Sequence, residues 1–126
     1  MVRTAASLSS EVGRIDGTAR VADPGLDQPG FLAFDPNVPM RPGRYEVEIE
    51  YSSQGAPAQT ASEFDVFDFT RGRQIMQAPL PGTRGAVARA RYPLHLAGLT
   101  VHQMVLRDRW DGAVNLKVYG VRLRRL

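Results

Sequence analysis

Twelve glycines and nine prolines are spread so evenly through 126 residues that almost every apolar run ends before it reaches three helical turns. Long amphipathic helix is thereby excluded, because both residues interrupt a helical ladder and no apolar face accumulates at a spacing of three and four. The periodicity that remains is two. In the stretch from Arg44 to Tyr51, Tyr45, Val47, Ile49 and Tyr51 alternate with Arg44, Glu46, Glu48 and Glu50. Successive side chains of a strand point to opposite faces, so this segment has one buried and one wet face, as in an antiparallel sheet covered on one side. Pro42-Gly43 provides the turn that precedes it.

Weaker versions of the same pattern occur at 12–15, 18–21, 31–34, 63–69, 74–78, 87–96, 101–107 and 114–123, giving eight or nine strands in all. Asp16-Gly17 and Asp111-Gly112 are both candidates for type I′ hairpin turns between the strands that flank them. In the last run Val114, Leu116 and Val118 share one parity and Val121 and Leu123 the other, with Gly120 at the switch. A β-bulge at that glycine would keep all five inward. Residues 23–30 and 52–62 read as loops. Many short strands between frequent turns predict an all-β, antiparallel jelly-roll β-sandwich of eight or nine strands. Residues 1–126 are expected to form a single domain, either complete or excised from a larger multidomain protein.

Composition narrows the chemistry. With no cysteine there is no disulfide scaffold, zinc–thiolate site or thiol nucleophile. No apolar stretch approaches the ~20 residues that span a bilayer, so no membrane insertion is expected. The start shows no apolar signal core, and a cytoplasmic location is the expectation. The net charge is +3, and Lys117 is the only lysine beside the arginines. These basic residues are interleaved with acids, apart from Arg122, Arg124 and Arg125 near the end. That distribution describes a solvated surface better than a nucleic-acid footprint, and no nucleic-acid partner is expected.

No catalytic constellation is visible. The two histidines, His95 and His102, form no H-x-H pair and have no acid at metal-ligand spacing, so they read as structural. Gly-x-Ser-x-Gly, P-loop and Gly-x-Gly-x-x-Gly motifs are all missing. Asp65 and Asp68 stand three apart and face opposite sides of a strand, which rules them out as a glycosidase pair on one face. Calcium takes six to eight oxygens and no loop is dense in acids, so a calcium site using Asp65 or Asp68 is the weaker reading. Neither catalytic residues, a metal nor a cofactor is therefore expected. Trp110, the only tryptophan, stands in Arg107-Asp108-Arg109-Trp110-Asp111-Gly112 and has two readings. It is either a lid folded over the end of the core or an exposed ring on which a sugar stacks, with Asp and Arg neighbours meeting the hydroxyls.

Several segments occur in a familiar order: Gly30-Phe31-Leu32-Ala33-Phe34-Asp35-Pro36-Asn37, Pro42-Gly43-Arg44-Tyr45-Glu46-Val47, Asp65-Val66, Val105-Leu106-Arg107 and Asn115-Leu116-Lys117-Val118. Over roughly residues 12–124 the chain resembles the small carbohydrate-binding-module-like β-sandwich domains of bacterial glycosyltransferases and polysaccharide-assembly proteins. In that family the stretch matching Phe34 to Asn37 usually reads aromatic-Gly-Pro-aromatic. Here Asp35 stands for the glycine and Asn37 for the second aromatic, while Pro36 keeps the turn. Arg107 matches a strand-end arginine, which is either a structural partner of Asp65 or Asp68 or a ligand clamp.

The resemblance implies a non-catalytic, lectin-like module that binds bacterial glycan weakly and works beside an attached or partner glycosyltransferase. Trp110, Arg109, Asp111, Asp35, Asn37 and Arg107 are the expected ligand contacts. The alternative is a structural or protein-interaction sandwich that docks a partner or a second copy. A small hydrolase or isomerase is the least supported reading.

Overall fold

The computed structural model describes the backbone of residues 1–126 and every side chain except those of Pro36 and Asn37. Ten strands run in chain order: β1 (Val2–Thr4), β2 (Arg14–Asp16), β3 (Ala19–Ala22), β4 (Gly30–Met40), β5 (Gly43–Ser52), β6 (Thr60–Asp68), β7 (Arg73–Pro81), β8 (Ala88–Leu96), β9 (His102–Trp110) and β10 (Leu116–Arg125). One 3₁₀ turn, Ala5–Ser7, follows β1, and no α-helix occurs. The strands form two antiparallel sheets, ordered β2-β3-β10-β5-β8 and β4-β9-β6-β7, with β1 also paired to β10. The fold is the expected all-β sandwich, with ten strands rather than eight or nine because Val2–Thr4 adds one.

Alternation along each strand builds the core. Tyr45, Val47, Ile49 and Tyr51 of β5 and Leu116, Val118, Val121 and Leu123 of β10 face Leu32, Phe64, Val66, Met104, Leu106 and Trp110 of the other sheet, and all are buried. Each fully buried large side chain adds about 1.5–3 kcal/mol of hydrophobic stabilisation. On the wet side of β5, Glu46, Glu48 and Glu50 pair with Arg124, Arg91 and Arg89 of the flanking strands. Three of the arginines are thereby accounted for as cross-strand partners on a solvated face.

Two turn expectations need restating, and one strand lies outside what the sequence predicts. Val2–Thr4 is a strand that no alternation announces, because all three residues are exposed and backbone bonds to β10 hold them. Asp16 pairs with Ala19, so the first hairpin turns on Gly17 and Thr18 rather than on Asp16 and Gly17. Asp111-Gly112 is not a hairpin at all. Both edges of β9 are taken by β4 and β6, so the chain after Trp110 crosses to the other sheet. The bulge at Gly120 is present, as the ladder between β10 and β5 steps between Val118 and Gly120. Its glycine is required by proximity, since a Cβ there would lie 2.7 Å from the Arg3 carbonyl oxygen of β1.

Candidate functional site: the outer face of the four-stranded sheet

Strand pairing places three rows of side chains on this face. Phe31 lies opposite Arg109, which lies opposite Glu63. Phe34, Arg107, Asp65 and Gln77 form the next row, and Val105, Phe67 and Gln74 the third. Phe31 and Phe34 are three apart, so a regular strand would send them to opposite faces. An irregularity in β4 between Phe31 and Ala33 absorbs one residue, Leu32, and brings both rings outward. Their centroids are 6.0 Å apart with the rings edge to face, and Phe67 and Phe69 make a second such pair at 5.1 Å.

Arg107 organises the centre. Its Nε donates to Asp65 Oδ1 at 2.8 Å and a terminal nitrogen to Oδ2 at 2.5 Å. The guanidinium lies 4.5 Å from the Phe67 ring centroid and 5.3 Å from that of Phe31. The hydrogen bond to Asp65 holds the guanidinium pKa above its ordinary value. Gln74 Nε2 donates to Asp65 as well, at 2.8 Å. Of the two partners sequence offered for Arg107, Asp65 is the one used. Asp68 turns inward, where it meets Nδ1 of buried His102 at 2.9 Å. Burial alone would raise the Asp68 carboxyl, but hydrogen bonds from the Arg71 backbone and from His102 hold it below the usual range.

Two depressions adjoin across Phe31 and Arg107. The larger, about 420 Å³, is lined by Glu11, Phe31, Phe34, Asp35, Phe69, Val105 and Arg107. The smaller, about 130 Å³, is lined by Phe31, Glu63, Asp65, Gln74, Gln77, Arg107 and Arg109. The larger falls within the roughly 300–1,000 Å³ usual for small-ligand sites. Together they make a groove with aromatic walls, carboxylates, amides and guanidiniums. Another depression of about 380 Å³, at one end of the sandwich, is lined by Asp23, Gln54, Gly55, Gln59, Val114 and Asn115 and offers no aromatic ring.

The six residues expected as contacts divide. Asp35, Arg107 and Arg109 come together along the groove. Trp110 does not serve as a platform: it is fully buried, and its indole Nε1 donates to the Val114 carbonyl at 2.6 Å, so no ring face reaches solvent. Asp111 is exposed in the crossing turn, where its Oδ1 accepts the Ala113 amide, and it lines neither depression. The side chain of Asn37 lies outside the described residues. Sequence reasoning missed the four phenylalanines and the glutamines. The parity of Phe67 with Asp65, opposite to buried Phe64 and Val66, was a usable signal for one of them.

Asp35 has an uncommon backbone. Its φ is +114°, a region that L side chains enter only at a cost of about 1–3 kcal/mol. Burial pushes the half-buried Asp35 carboxyl up, and the Arg3 charge draws it part of the way back. Among the described residues no group of three or more histidine, aspartate or glutamate side chains converges to hold a metal ion.

No protein-family model and no curated protein sequence matches the chain. Solved structures do. The C-terminal CBM6 of LamC, a marine laminarinase from Zobellia galactanivorans, superposes with a TM-score of 0.64 at 12% identity, covering 99% of this chain and 98% of that one. A β-1,3-glucan-binding CBM6 from Bacillus halodurans gives 0.62 at 10% identity over 98% of this chain and 95% of that one. The module CBM6cm-2 of Cellvibrio mixtus lichenase 5A, in complex with cellotriose, gives 0.61 at 16% identity over 100% and 97%. The chain shares the fold of these carbohydrate-binding modules. At such identities the likeness extends to the fold alone.

Proposed function

We propose that the protein is a non-catalytic carbohydrate-binding module whose glycan lies in the groove on the outer face of the four-stranded sheet. The observation that carries this reading is the juxtaposition of Phe31, Phe34 and Phe69 with Asp35 and Arg107 around a single pocket. Phenyl faces match the apolar face of a pyranose ring, and the polar groups between them meet its hydroxyls. Neighbours of the same fold that hold cellotriose or bind β-1,3-glucan support the choice of ligand class. In the context the sequence resembles, the glycan is a bacterial polysaccharide, and the module holds it near an attached or partner glycosyltransferase.

Affinity is expected to be weak, about millimolar to micromolar, because exchanging water for protein around each hydroxyl returns little net free energy. Calorimetric titration with a panel of neutral, amino and acidic oligosaccharides tests the reading. Phe34→Ala and Phe69→Ala should each weaken the best ligand about fivefold, the loss of one stacking contact of about 1 kcal/mol. Failure of every glycan to bind at millimolar concentration, or undiminished binding by the doubly substituted protein, would remove the proposal.

A further inference from the structure

We propose that the glycan taken by this groove is a chain of amino sugars with free, protonated amines, bound through an ammonium group that enters the pocket between Asp35 and the phenylalanine rings. The inference rests on the glycan-binding reading and names its substrate class. It begins with which groups are already committed. Arg107 spends its Nε and one terminal nitrogen on Asp65, and its guanidinium lies against Phe31 and Phe67. Asp65 in turn accepts three hydrogen bonds, two from Arg107 and one from Gln74, and its charge is paired. The cation at the centre of the groove is therefore taken, which leaves a uronic acid only Arg109, and that residue lines the smaller depression and not the one that holds Asp35.

What is left open points the other way. Asp35 lines the larger pocket, is half-buried, and among the described residues accepts no hydrogen bond and makes no ion pair. Arg3 influences it only at a distance, without an ion pair. A carboxylate that has lost part of its hydration and gained no partner is an acceptor for a cation. Phe34 and Phe69 line the same pocket and carry no resident guanidinium, and the negative faces of aromatic rings attract ammonium groups while repelling anions. Around the whole groove four carboxylates, Glu11, Asp35, Glu63 and Asp65, stand against two guanidiniums, Arg107 and Arg109. The local charge is thus opposite in sign to the +3 of the whole chain. Nonspecific attraction to a basic protein cannot explain a preference for a cationic ligand.

Four oligosaccharides of equal length make the test: β-1,4-linked glucosamine, its fully N-acetylated counterpart, the corresponding glucose oligomer, and a polyuronate. Titrations are run at low ionic strength, at a pH where the amines are protonated and the carboxylates ionised. The glucosamine oligomer should bind about tenfold more tightly than the neutral two, the value of one charge-assisted hydrogen bond, and the uronate least. Asp35→Asn keeps the shape of the side chain and suits an unusual backbone, and it should abolish the preference by weakening the glucosamine oligomer about tenfold more than it weakens the glucose oligomer. Circular dichroism and melting confirm that this variant is folded. Equal binding of the glucosamine and glucose oligomers, strongest binding of the uronate, or a preference that survives in Asp35→Asn would each overturn the amino-sugar assignment and leave glycan binding standing. If none of the four binds while another glycan does, the assignment falls alone; if no glycan binds, both readings fall.

Discussion

Ser62 Oγ donates to one oxygen of the Asp108 carboxyl at 2.5 Å, and the other oxygen of that carboxyl has no partner between the two sheets. Asp108 lies on the inward face of β9 among apolar side chains, with only 2% of its surface exposed. Burial pushes its pKa up to about 7; the Ser62 hydrogen bond opposes this and the nearby Asp65 charge adds to it. A buried carboxyl without full hydrogen bonding is held neutral because ionising it is costly.

The sign of the pH dependence follows. From about pH 4 the unfolded chain ionises this carboxyl while the folded protein keeps its proton until about pH 7. The contribution to stability is complete below pH ~4, falls as pH rises, and is lost above pH ~7, a change of about 4 kcal/mol for a shift of some three units. Asp68 works in the opposite direction, since its lowered pKa makes its contribution disappear as pH falls. Subtracting the profile of Asp108→Asn cancels that term. The variant should be less stable than the parent near pH 4 and about 2 kcal/mol more stable near pH 8, after an unpartnered amide offsets part of the gain. Urea midpoints at the two pH values measure this, and parallel profiles would refute it.

The same carboxyl shows why part of the site was illegible in sequence. Met104, Leu106, Asp108 and Trp110 form one inward series, but a charged residue in third place disguises the alternation, so the strand looks finished before the tryptophan. Trp110 then passes for a turn residue. At β4 the obstacle is different: Leu32 and Ala33 are adjacent, apolar and both buried, so parity gives no sign that a bulge has turned Phe31 and Phe34 to the same face. By contrast β5 and the Gly120 bulge were legible, because there each inward side chain is apolar and each outward one polar or absent.

Trp110 is a convenient reporter because it is the only tryptophan. Full burial and the bond to the Val114 carbonyl predict a blue-shifted emission that acrylamide quenches poorly. Saturating glycan should leave that emission unchanged, whereas urea should shift it to the red at the unfolding midpoint. Trp110→Ala should destabilise by about 3–5 kcal/mol, through the cavity left in the core. A strong spectral response to sugar in the folded protein would instead place the ring at the ligand.

Arg107 and Asp65 should be coupled. Asp65 is almost buried and Arg107 about three-quarters covered, so their fork lies between a surface pair and a core pair. Arg107→Lys loses both the two-point bond and the contact with Phe31 and Phe67, and is expected to cost about 1–2 kcal/mol. A double-mutant cycle of Arg107→Ala and Asp65→Asn should give a coupling energy of about 1–2 kcal/mol in denaturant unfolding. Additive effects would show the fork to be incidental.

Asp35 carries the clearest conflict between stability and binding. With φ at +114° the position lies where glycine is at ease and an L side chain is strained. Asp35→Gly relieves the strained backbone, which outweighs the extra freedom glycine gives the unfolded chain, so the variant should be about 1 kcal/mol more stable. It also removes the carboxylate from the pocket formed with Phe34 and Phe69, and glucosamine oligomers should bind about tenfold more weakly. Thermal melting and titration on the same preparation decide the matter. If the glycine variant is both less stable and equally competent to bind, the aspartate is neither strained nor a contact; a gain in melting temperature with a loss of affinity means the chain has kept an unfavourable backbone for the sake of its ligand.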